Sequence, residues 1–269
     1  CRFCQNWEIS TARSFDALTD SAGPEHIAEA AVRAGCRGVA YTYNDPIVFA
    51  EYAIDVAAAV HAAGLLNIAV TAGSINQEPR ADFFAGMDAA NVDLKSFDAS
   101  FYHRVCGGRL EVVLDTLRYL ARETSCWVEV TTLVIPGYND SDAELGALAA
   151  WLVTELGPDV PWHVTAFHPD NRMRDVPRTP LATLRRARWI GLAAGLRFVY
   201  TGNVVDRDGA TTRCPGCGAR LIERDGYDIV AYGVTPDGRC RACGADVPGR
   251  WDAHAGGFGS RRRALRLHA

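Results

Sequence analysis

Residues 37–73 read RGVAYTYNDPIVFAEYAIDVAAAVHAAGLLNIAVTAG, which is the pattern of a strand, a helix and a second strand. The first run is rich in β-branched and aromatic residues, the alanine-rich middle ends at Gly64, and NIAVTAG is again typical of a strand. This alternation extends over roughly residues 24–200. It predicts five or six parallel βα units.

The bulk composition is that of a globular protein with a full-sized core. The chain has 269 residues, of which 48% are hydrophobic and 22% charged, and a formal net charge of −4. This charge gives no general attraction for nucleic acid or anionic lipid, and no stretch reaches the roughly 20 apolar residues that span a bilayer. We therefore expect a cytoplasmic protein that binds neither nucleic acid nor membrane.

The βα periodicity stops near residue 203, where Gly, Asp and Cys become frequent. We expect a βα domain over residues 1–203, a metal-binding module over 204–251 and a disordered, Gly- and Arg-rich tail over 252–269.

Two CxxC pairs mark the expected module. They are Cys214-Pro215-Gly216-Cys217 and Cys240-Arg241-Ala242-Cys243, and a glycine follows each pair. Four thiolates suit a tetrahedral Zn²⁺, and glycine relieves the tight turn after each pair. The spacing predicts a small zinc-ribbon-like knuckle, with a rubredoxin-type iron as the alternative.

Polar residues follow several of the predicted strands. Ligands of parallel βα folds bind at the carboxyl ends of the strands, so these positions are candidate binding residues, although loop entries are polar in any such fold. Asn44 and Asp45 also suit a helix cap, and Asp93 and Lys95 a buried ion pair. The candidates are Asn44, Asp45, Thr71, Asp93, Lys95 and His168.

The chain also carries motifs that resemble a known family. Cys1-Arg2-Phe3-Cys4, followed by QNW, resembles the last two cysteines of the CxxxCxφC motif of radical S-adenosylmethionine (SAM) enzymes. TYNDP, DLKSFD, CGGRLE, VTTLVIPGYND, WHVTAFHPD and YTGNV follow in order. Together they resemble the radical SAM member of the AmmeMemoRadiSam group, a relative of pyruvate formate-lyase activating enzymes. The fold implied is a partial (β/α)6-type barrel with a C-terminal four-cysteine knuckle.

The resemblance implies a ligand set for two cofactors. Cys1 and Cys4 would hold irons of a [4Fe–4S] cluster, and the first cysteine of the motif would precede residue 1, so the chain as it stands is expected to be inactive. Asn44 and Asp45 would meet the SAM amino group. Thr71 would lie near the SAM sugar or carboxylate, although the family's Thr-Asn-Gly reads Thr-Ala-Gly here. The other implied SAM contacts are Asp93, Lys95 and His168.

The implied reaction is reductive cleavage of SAM to a 5′-deoxyadenosyl radical, which abstracts hydrogen from a substrate. The substrate would be a glycyl-radical protein, another protein or a metabolite; a flavodoxin or ferredoxin would supply electrons, and a Memo-like protein is an expected partner. Two alternatives come from other classes. One is a cluster-free βα-barrel lyase that uses Lys95 as a Schiff-base nucleophile, and the other is a non-catalytic zinc-knuckle interaction module.

Overall fold

A computed structural model describes residues 1–11 and 21–257, together with positions 259, 261, 263 and 265. The chain forms two compact units. The first contains Cys1–Val130 and Pro169–Pro177, and the second contains Thr131–His168 and Arg178–Arg263.

Helices and strands alternate along most of the described chain. The helices are α1 (Trp7–Ser10), α2 (Pro24–Arg33), α3 (Ala50–Ala62), α4 (Gln77–Ala85), α5 (Ala99–Phe101), α6 (Leu110–Glu123), α7 (Asp142–Leu156) and α8 (Leu181–Ala193), with a 3-10 turn at Pro46–Phe49 and a π-helical turn at Tyr102–Cys106. The strands are β1 (Gly38–Tyr41), β2 (Leu66–Thr71), β3 (Ala89–Asp93), β4 (Trp127–Val134), β5 (Trp162–Ala166), β6 (Val199–Gly202), β7 (Thr212–Arg213), β8 (Arg220–Asp225) and β9 (Asp228–Tyr232).

The first six strands form one sheet in the order β1-β2-β3-β4-β5-β6. Strand β2 pairs in parallel with β1 and with β3, and β5 pairs in parallel with β6. A helix follows each of the first five strands, as expected for βα units. The predicted α/β class, with a six-stranded parallel sheet and a cysteine cluster near the C-terminus, is confirmed.

The core of the first unit is built from small side chains on α3 and alternate residues of the sheet. Ala53, Val56 and Val60 of α3 are almost fully buried. Asn67 of β2 is a polar residue within this core at 0% exposure: its Nδ2 donates to the Ala57 carbonyl at 3.0 Å, and its Oδ1 accepts from the Tyr41 hydroxyl at 2.8 Å. The alanine-rich middle of the opening motif therefore forms a helix that packs closely on the sheet.

Two side-chain contacts support the elements of the second unit. Trp162 of β5 is fully buried and donates from Nε1 to Thr132 Oγ1 at 2.9 Å; a Cβ at Gly191 would lie 2.8 Å from its ring. Ser141 caps α7 by accepting from the Glu144 N–H at 3.2 Å.

Strands β7, β8 and β9 form a separate antiparallel sheet in that order. A small apolar cluster lies against it, and its buried members are Phe198, Cys214, Leu221, Ile222, Val234, Cys240 and Val247. Two of the four knuckle cysteines are therefore part of a hydrophobic core.

The end of the chain is described only in part. Positions 258, 260, 262, 264 and 266–269 of the predicted tail lie outside the described residues, and the others in it belong to no helix or strand. The predicted disorder and the boundary after residue 203 stay predictions. No helix within the described ranges combines the length and apolarity needed to cross a membrane.

Candidate functional site

Residues Cys1–Cys4 form a tight turn, the thiol loop, in which the Cys4 N–H donates to the Cys1 carbonyl at 3.2 Å. Both thiols are free; Cys1 is exposed and Cys4 is half-buried. Two unpaired thiols on one short, accessible turn match the chemistry that an iron–sulfur cluster requires of its protein ligands.

Contacts on two sides fix this loop. The Arg2 N–H donates to the Val105 carbonyl at 2.9 Å, and the Arg172 N–H donates to the Arg2 carbonyl at 3.0 Å. Phe3, 3% exposed, packs on Phe101 with 6.1 Å between ring centroids. The aromatic residue between the two cysteines therefore anchors the loop in the core while the thiols remain outside it.

The residues after Cys4 join the loop to the end of β1. Asn6 Nδ2 donates to the Tyr43 carbonyl at 3.2 Å, and Trp7 Nε1 donates to Asp170 Oδ1 at 3.1 Å. Tyr43 has a φ of 73°, a backbone conformation that residues other than glycine seldom adopt. The QNW motif thus connects the thiol loop to the turn that carries Asn44 and Asp45.

Asp45 is held by three hydrogen bonds. Its Oδ1 accepts from the Ile47 N–H at 3.1 Å and from Thr71 Oγ1 at 2.8 Å, and its Oδ2 accepts from the Ala72 N–H at 2.8 Å. The helix-cap interpretation of this residue therefore describes part of what it does. Asp45 ties the end of β1 to the end of β2.

Asn44 differs from its neighbour because its side-chain carbonyl has no partner. Asn44 Oδ1 is buried and accepts no hydrogen bond from any described residue. A buried acceptor without a donor is costly, so such an atom in a folded protein needs an explanation, and an absent ligand is one of them. Asn44 directly follows Tyr43, the turn residue whose carbonyl accepts a hydrogen bond from Asn6.

Thr71 and Gly73 shape the end of β2. Thr71 Oγ1 donates to Asp45 and accepts from the Gly73 N–H at 3.0 Å, so the hydroxyl that was expected to meet SAM is already engaged. Gly73 has a φ of +67°, and a Cβ there would lie 2.8 Å from Val92. Ser74, the residue after it, is exposed.

Asp93 and Lys95 form the ion pair that their spacing predicts, with both side chains partly exposed. The Lys95 backbone N–H donates to Tyr102 Oη at 2.9 Å, and Lys95 Nζ lies 6.0 Å from the centroid of the Phe3 ring. The pair at the end of β3 is thus close to the aromatic anchor of the thiol loop.

Cys106 lies at the end of the π-helical turn near Lys95. Burial raises the pKa of its thiol to about 11, although the positive charge of Lys95 opposes the shift. Cys106 is half-buried, whereas Cys1 is exposed.

His168 belongs to the second unit, where it is exposed just after β5. Its assignment as a SAM contact stays a prediction. The turn at residues 135–139 of the same unit is structural: Asn139 Oδ1 accepts from the Ile135 N–H at 2.6 Å, and Asn139 Nδ2 donates to the Leu133 carbonyl at 2.9 Å.

Replacement of Asp45 by asparagine is expected to lower the free energy of unfolding by about 2 kcal/mol, because it weakens charge-assisted hydrogen bonds and turns an amide NH₂ toward a donor. Urea titration followed by circular dichroism measures the change. Asp55→Asn, on the exposed side of α3, is the matched control and should leave the midpoint unchanged. Equal midpoints for the two variants would contradict the structural role given to Asp45.

A comparison with known protein families agrees with the chemistry of the thiol loop. The family model for the radical SAM superfamily matches residues 1–149, which include both thiol-loop cysteines and the turns at Asn44, Thr71 and Asp93. The chain belongs to the radical SAM superfamily. Membership implies an enzyme that uses SAM and a [4Fe–4S] cluster, and the free thiols and unpartnered Asn44 carbonyl fit those two groups.

Two curated proteins are similar in sequence to this radical SAM protein. An uncharacterized protein of Methanocaldococcus jannaschii is 39% identical over 248 residues, covering 92% of this chain and 73% of that protein. The benzylsuccinate synthase activating enzyme of Thauera aromatica is 30% identical over 117 residues, covering 43% of this chain and 35% of the enzyme. Part of the radical SAM region is therefore similar in sequence to an activating enzyme.

Solved structures share the fold. A domain of the pyruvate-formate lyase-activating enzyme from Bacteroides vulgatus is 18% identical with a TM-score of 0.54, covering 62% of this chain and 99% of that domain. Streptococcus suis SuiB bound to S-adenosylmethionine is 12% identical with a TM-score of 0.55, covering 68% of this chain and 44% of SuiB. At these identities the likeness concerns the fold alone.

The four-cysteine site of this radical SAM protein has the dimensions of a tetrahedral metal centre. All four sulfurs lie within 4.8 Å of one another; the Cys214–Cys243 and Cys217–Cys240 sulfurs are 3.6 and 3.9 Å apart. Sulfurs at the corners of a tetrahedron about 2.3 Å from zinc would be about 3.8 Å apart. The two CxxC pairs therefore meet at metal-binding distances.

Backbone N–H groups donate hydrogen bonds to two of the sulfurs, as in zinc knuckles. The Gly216 N–H donates to Cys214 Sγ and the Ala242 N–H to Cys240 Sγ, both at 3.4 Å. The glycines after each pair, Gly218 and Gly244, have φ values of +73° and +76°. Their predicted role in relieving the turns is confirmed.

The electrostatics of the site favour a cation. Burial is the largest single effect on Cys214 and opposes its ionisation, but hydrogen bonds from the Cys217 and Gly216 N–H groups and with the Cys240 and Cys217 side chains together lower the pKa of this thiol to about 7. The Ala245 N–H lowers the pKa of Cys243, yet the neighbouring sulfurs outweigh it and raise the pKa to about 12. Four thiolates this close repel one another, so a metal ion is needed to hold all four ionised.

Proposed function

We propose that this radical SAM protein cleaves SAM reductively and uses the 5′-deoxyadenosyl radical to abstract hydrogen from a substrate. When bound, the cluster and SAM supply the electron and the radical, and the protein positions them. The proposal rests mainly on the hydrogen bond from Asn6 to the Tyr43 carbonyl, which holds the thiol loop beside the turn carrying the unpartnered Asn44 carbonyl.

Each proposed ligand has a separate task. The Cys1 and Cys4 thiolates bind iron, and Asn44 Oδ1 accepts a hydrogen bond from the SAM ammonium. Asp45 and Thr71 hold the Asn44 turn in place and, with their remaining lone pairs, border the SAM site. The placement of these side chains ahead of binding lowers the cost of ordering the cofactor.

The remaining SAM contacts are proposed at charged or titratable positions. Asp93 and Lys95 present opposite charges that can pair with the zwitterionic amino-acid end of SAM after exchanging partners. His168 is proposed as a further contact. In the four-cysteine site we propose a structural Zn²⁺, with iron as the alternative.

The substrate proposed is a protein. The benzylsuccinate synthase activating enzyme is an activator by name, and its similarity supports glycyl-radical formation on a partner protein as the finer form of the reaction. A flavodoxin or ferredoxin is the proposed reductant, and a Memo-like protein is a further proposed partner, as the AmmeMemoRadiSam resemblance implies. A glycyl radical would appear as a doublet in the electron paramagnetic resonance spectrum of the partner.

The cluster-free lyase is the less supported enzymatic alternative. A Schiff-base nucleophile needs a free amine, whereas Lys95 Nζ is engaged in an ion pair with Asp93. A purely structural knuckle module explains the four cysteines but gives no role to the thiol loop. Both alternatives predict that SAM is neither bound nor consumed.

Replacement of Asn44 by alanine is expected to weaken SAM binding about tenfold while leaving stability unchanged. A hydrogen bond from a charged group contributes about 1.5–3 kcal/mol, and the Asn44 carbonyl has no protein partner to lose. Calorimetric titration of SAM into full-length protein, reconstituted anaerobically with iron and sulfide, measures the affinity. Urea denaturation measures the stability.

Gln77→Ala is the amide control for this experiment. The Gln77 side chain donates to Asp115 at 3.0 Å and is exposed, so its loss should leave SAM affinity at the wild-type value. Unchanged SAM affinity in Asn44→Ala would overturn the role given to the carbonyl. A large loss of stability in that variant would show that the atom has a structural role instead.

A further inference from the structure

A cavity of about 340 Å³ opens in the first unit beyond the residues assigned to SAM. Two short stretches line it. Ser74 and Asn76 come from the segment after β2, and residues between His103 and Val112 come from the segment after β3. The second stretch includes the CGGR motif, to which the proposed function gives no role.

The charged side chains in the cavity wall are both potential cations. Arg109 and His103 line the space, and no carboxylate does. Neither side chain makes a hydrogen bond, ion pair or ring contact with any described residue, whereas nearby Arg104 donates to Ser100 at 2.8 Å. Both residues are exposed, and a cavity wall that carries an unpaired guanidinium favours a negatively charged ligand.

The backbone around the cavity also favours a negatively charged ligand. Helices α4 and α6 both begin there, since their cap residues Asn76 and Arg109 are part of the wall. Neither cap side chain accepts a hydrogen bond from its own helix, so the first N–H groups of both helices are left without that partner. The helix dipoles add to the charge of Arg109 and do not define the site by themselves.

We propose that this cavity binds an oxyanion group, a carboxylate or a phosphate, carried by the substrate. The planar guanidinium of Arg109 can donate two parallel hydrogen bonds to either group, and His103 can donate a third. The assignment to the substrate rests on the proposed function, whereas the binding of an oxyanion does not.

Nuclear magnetic resonance titration of the full chain tests this site without a cluster or SAM. Inorganic phosphate and succinate are added separately at constant ionic strength, and the His103 imidazole resonances are followed. We expect saturable shifts, with the tighter probe identifying phosphate or carboxylate as the natural group. Arg109→Gln should weaken binding at least tenfold, and Arg109→Lys should weaken it less because the charge remains.

Arg104→Gln removes a neighbouring surface charge and is the matched control, which should keep the wild-type affinity for both probes. An absence of saturable shifts with either probe, or equal weakening by the Arg104 and Arg109 variants, would overturn the site. Displacement of phosphate by SAM in cluster-loaded protein would overturn its assignment to the substrate. Anion binding without SAM cleavage would reject the proposed function while the oxyanion site stands.

Discussion

Replacement of Cys4 by alanine is expected to abolish 5′-deoxyadenosine formation, with at least a thousandfold loss of rate. Cys4 is a free thiol on a turn fixed by Phe3 and Arg2, so no other described thiol can take its position without moving the loop. A cluster that lacks one thiolate ligand is not held stably. Chromatography of reactions of the full-length protein, reconstituted with iron and sulfide and supplied with SAM and dithionite, measures the product.

Cys36→Ala is the matched control because Cys36 is also a free, half-buried thiol, but it follows α2 and belongs to no metal group among the described residues. It should retain the wild-type rate and the visible absorbance of the cluster. A Cys4→Ala protein that keeps the cluster and makes the product would contradict the ligand assignment.

Replacement of Cys240 by serine is expected to release the metal of the four-cysteine site and unfold the module around it. Structural zinc contributes roughly 10–16 kcal/mol to small metal-dependent folds, and Cys240 is also 2% exposed within the apolar cluster. Metal content should fall from one atom per chain to under about a tenth. Hydrogen exchange of the β8 and β9 amides should become at least a hundredfold faster.

Cys126→Ser tests whether the change at Cys240 is specific to the metal. Cys126 is likewise buried, yet its sulfur lies outside the four-cysteine site, so the variant should keep its metal. Slow exchange of β8 and β9 in a metal-free Cys240→Ser protein would show that the antiparallel sheet folds without the ion. That result would contradict the structural role proposed for the metal.

The sequence predicted the alternation of elements because local signals dictate it. Gly64 ends α3, Pro24 begins α2 and Ser141 caps α7, and each of these acts within a few residues. The four-cysteine site was predictable for a similar reason. Two CxxC turns each fix two sulfurs locally, and only their meeting depends on the fold.

Contacts between residues distant in sequence could not be predicted in this way. Trp7 reaches Asp170 across 163 positions, and Asn6 reaches the Tyr43 carbonyl across 37. The motif order assigns no role to QNW, and in WHVTAFHPD it implies a contact only for His168. Asp170, two positions later, anchors the thiol loop through Trp7.

The individual roles of the residues at the strand ends could not be predicted from the sequence either. Asn44 and Asp45 are adjacent and both polar, yet the Asp45 carboxylate accepts three hydrogen bonds from the protein, whereas Asn44 has an unpartnered buried oxygen. Spacing cannot separate them, since the difference depends on the Ala72 N–H and the Thr71 hydroxyl brought in by β2. The cavity beside Arg109 was missed because its two walls meet only in the folded chain.

The most direct test of the central claim is an anaerobic assay of the full-length protein for 5′-deoxyadenosine. The protein is reconstituted with iron and sulfide, reduced with dithionite and supplied with SAM. We expect product that requires both the reductant and SAM and that disappears in Cys4→Ala. A folded, metal-loaded protein that binds iron and sulfide yet forms no 5′-deoxyadenosine, with or without a reductant, would contradict it.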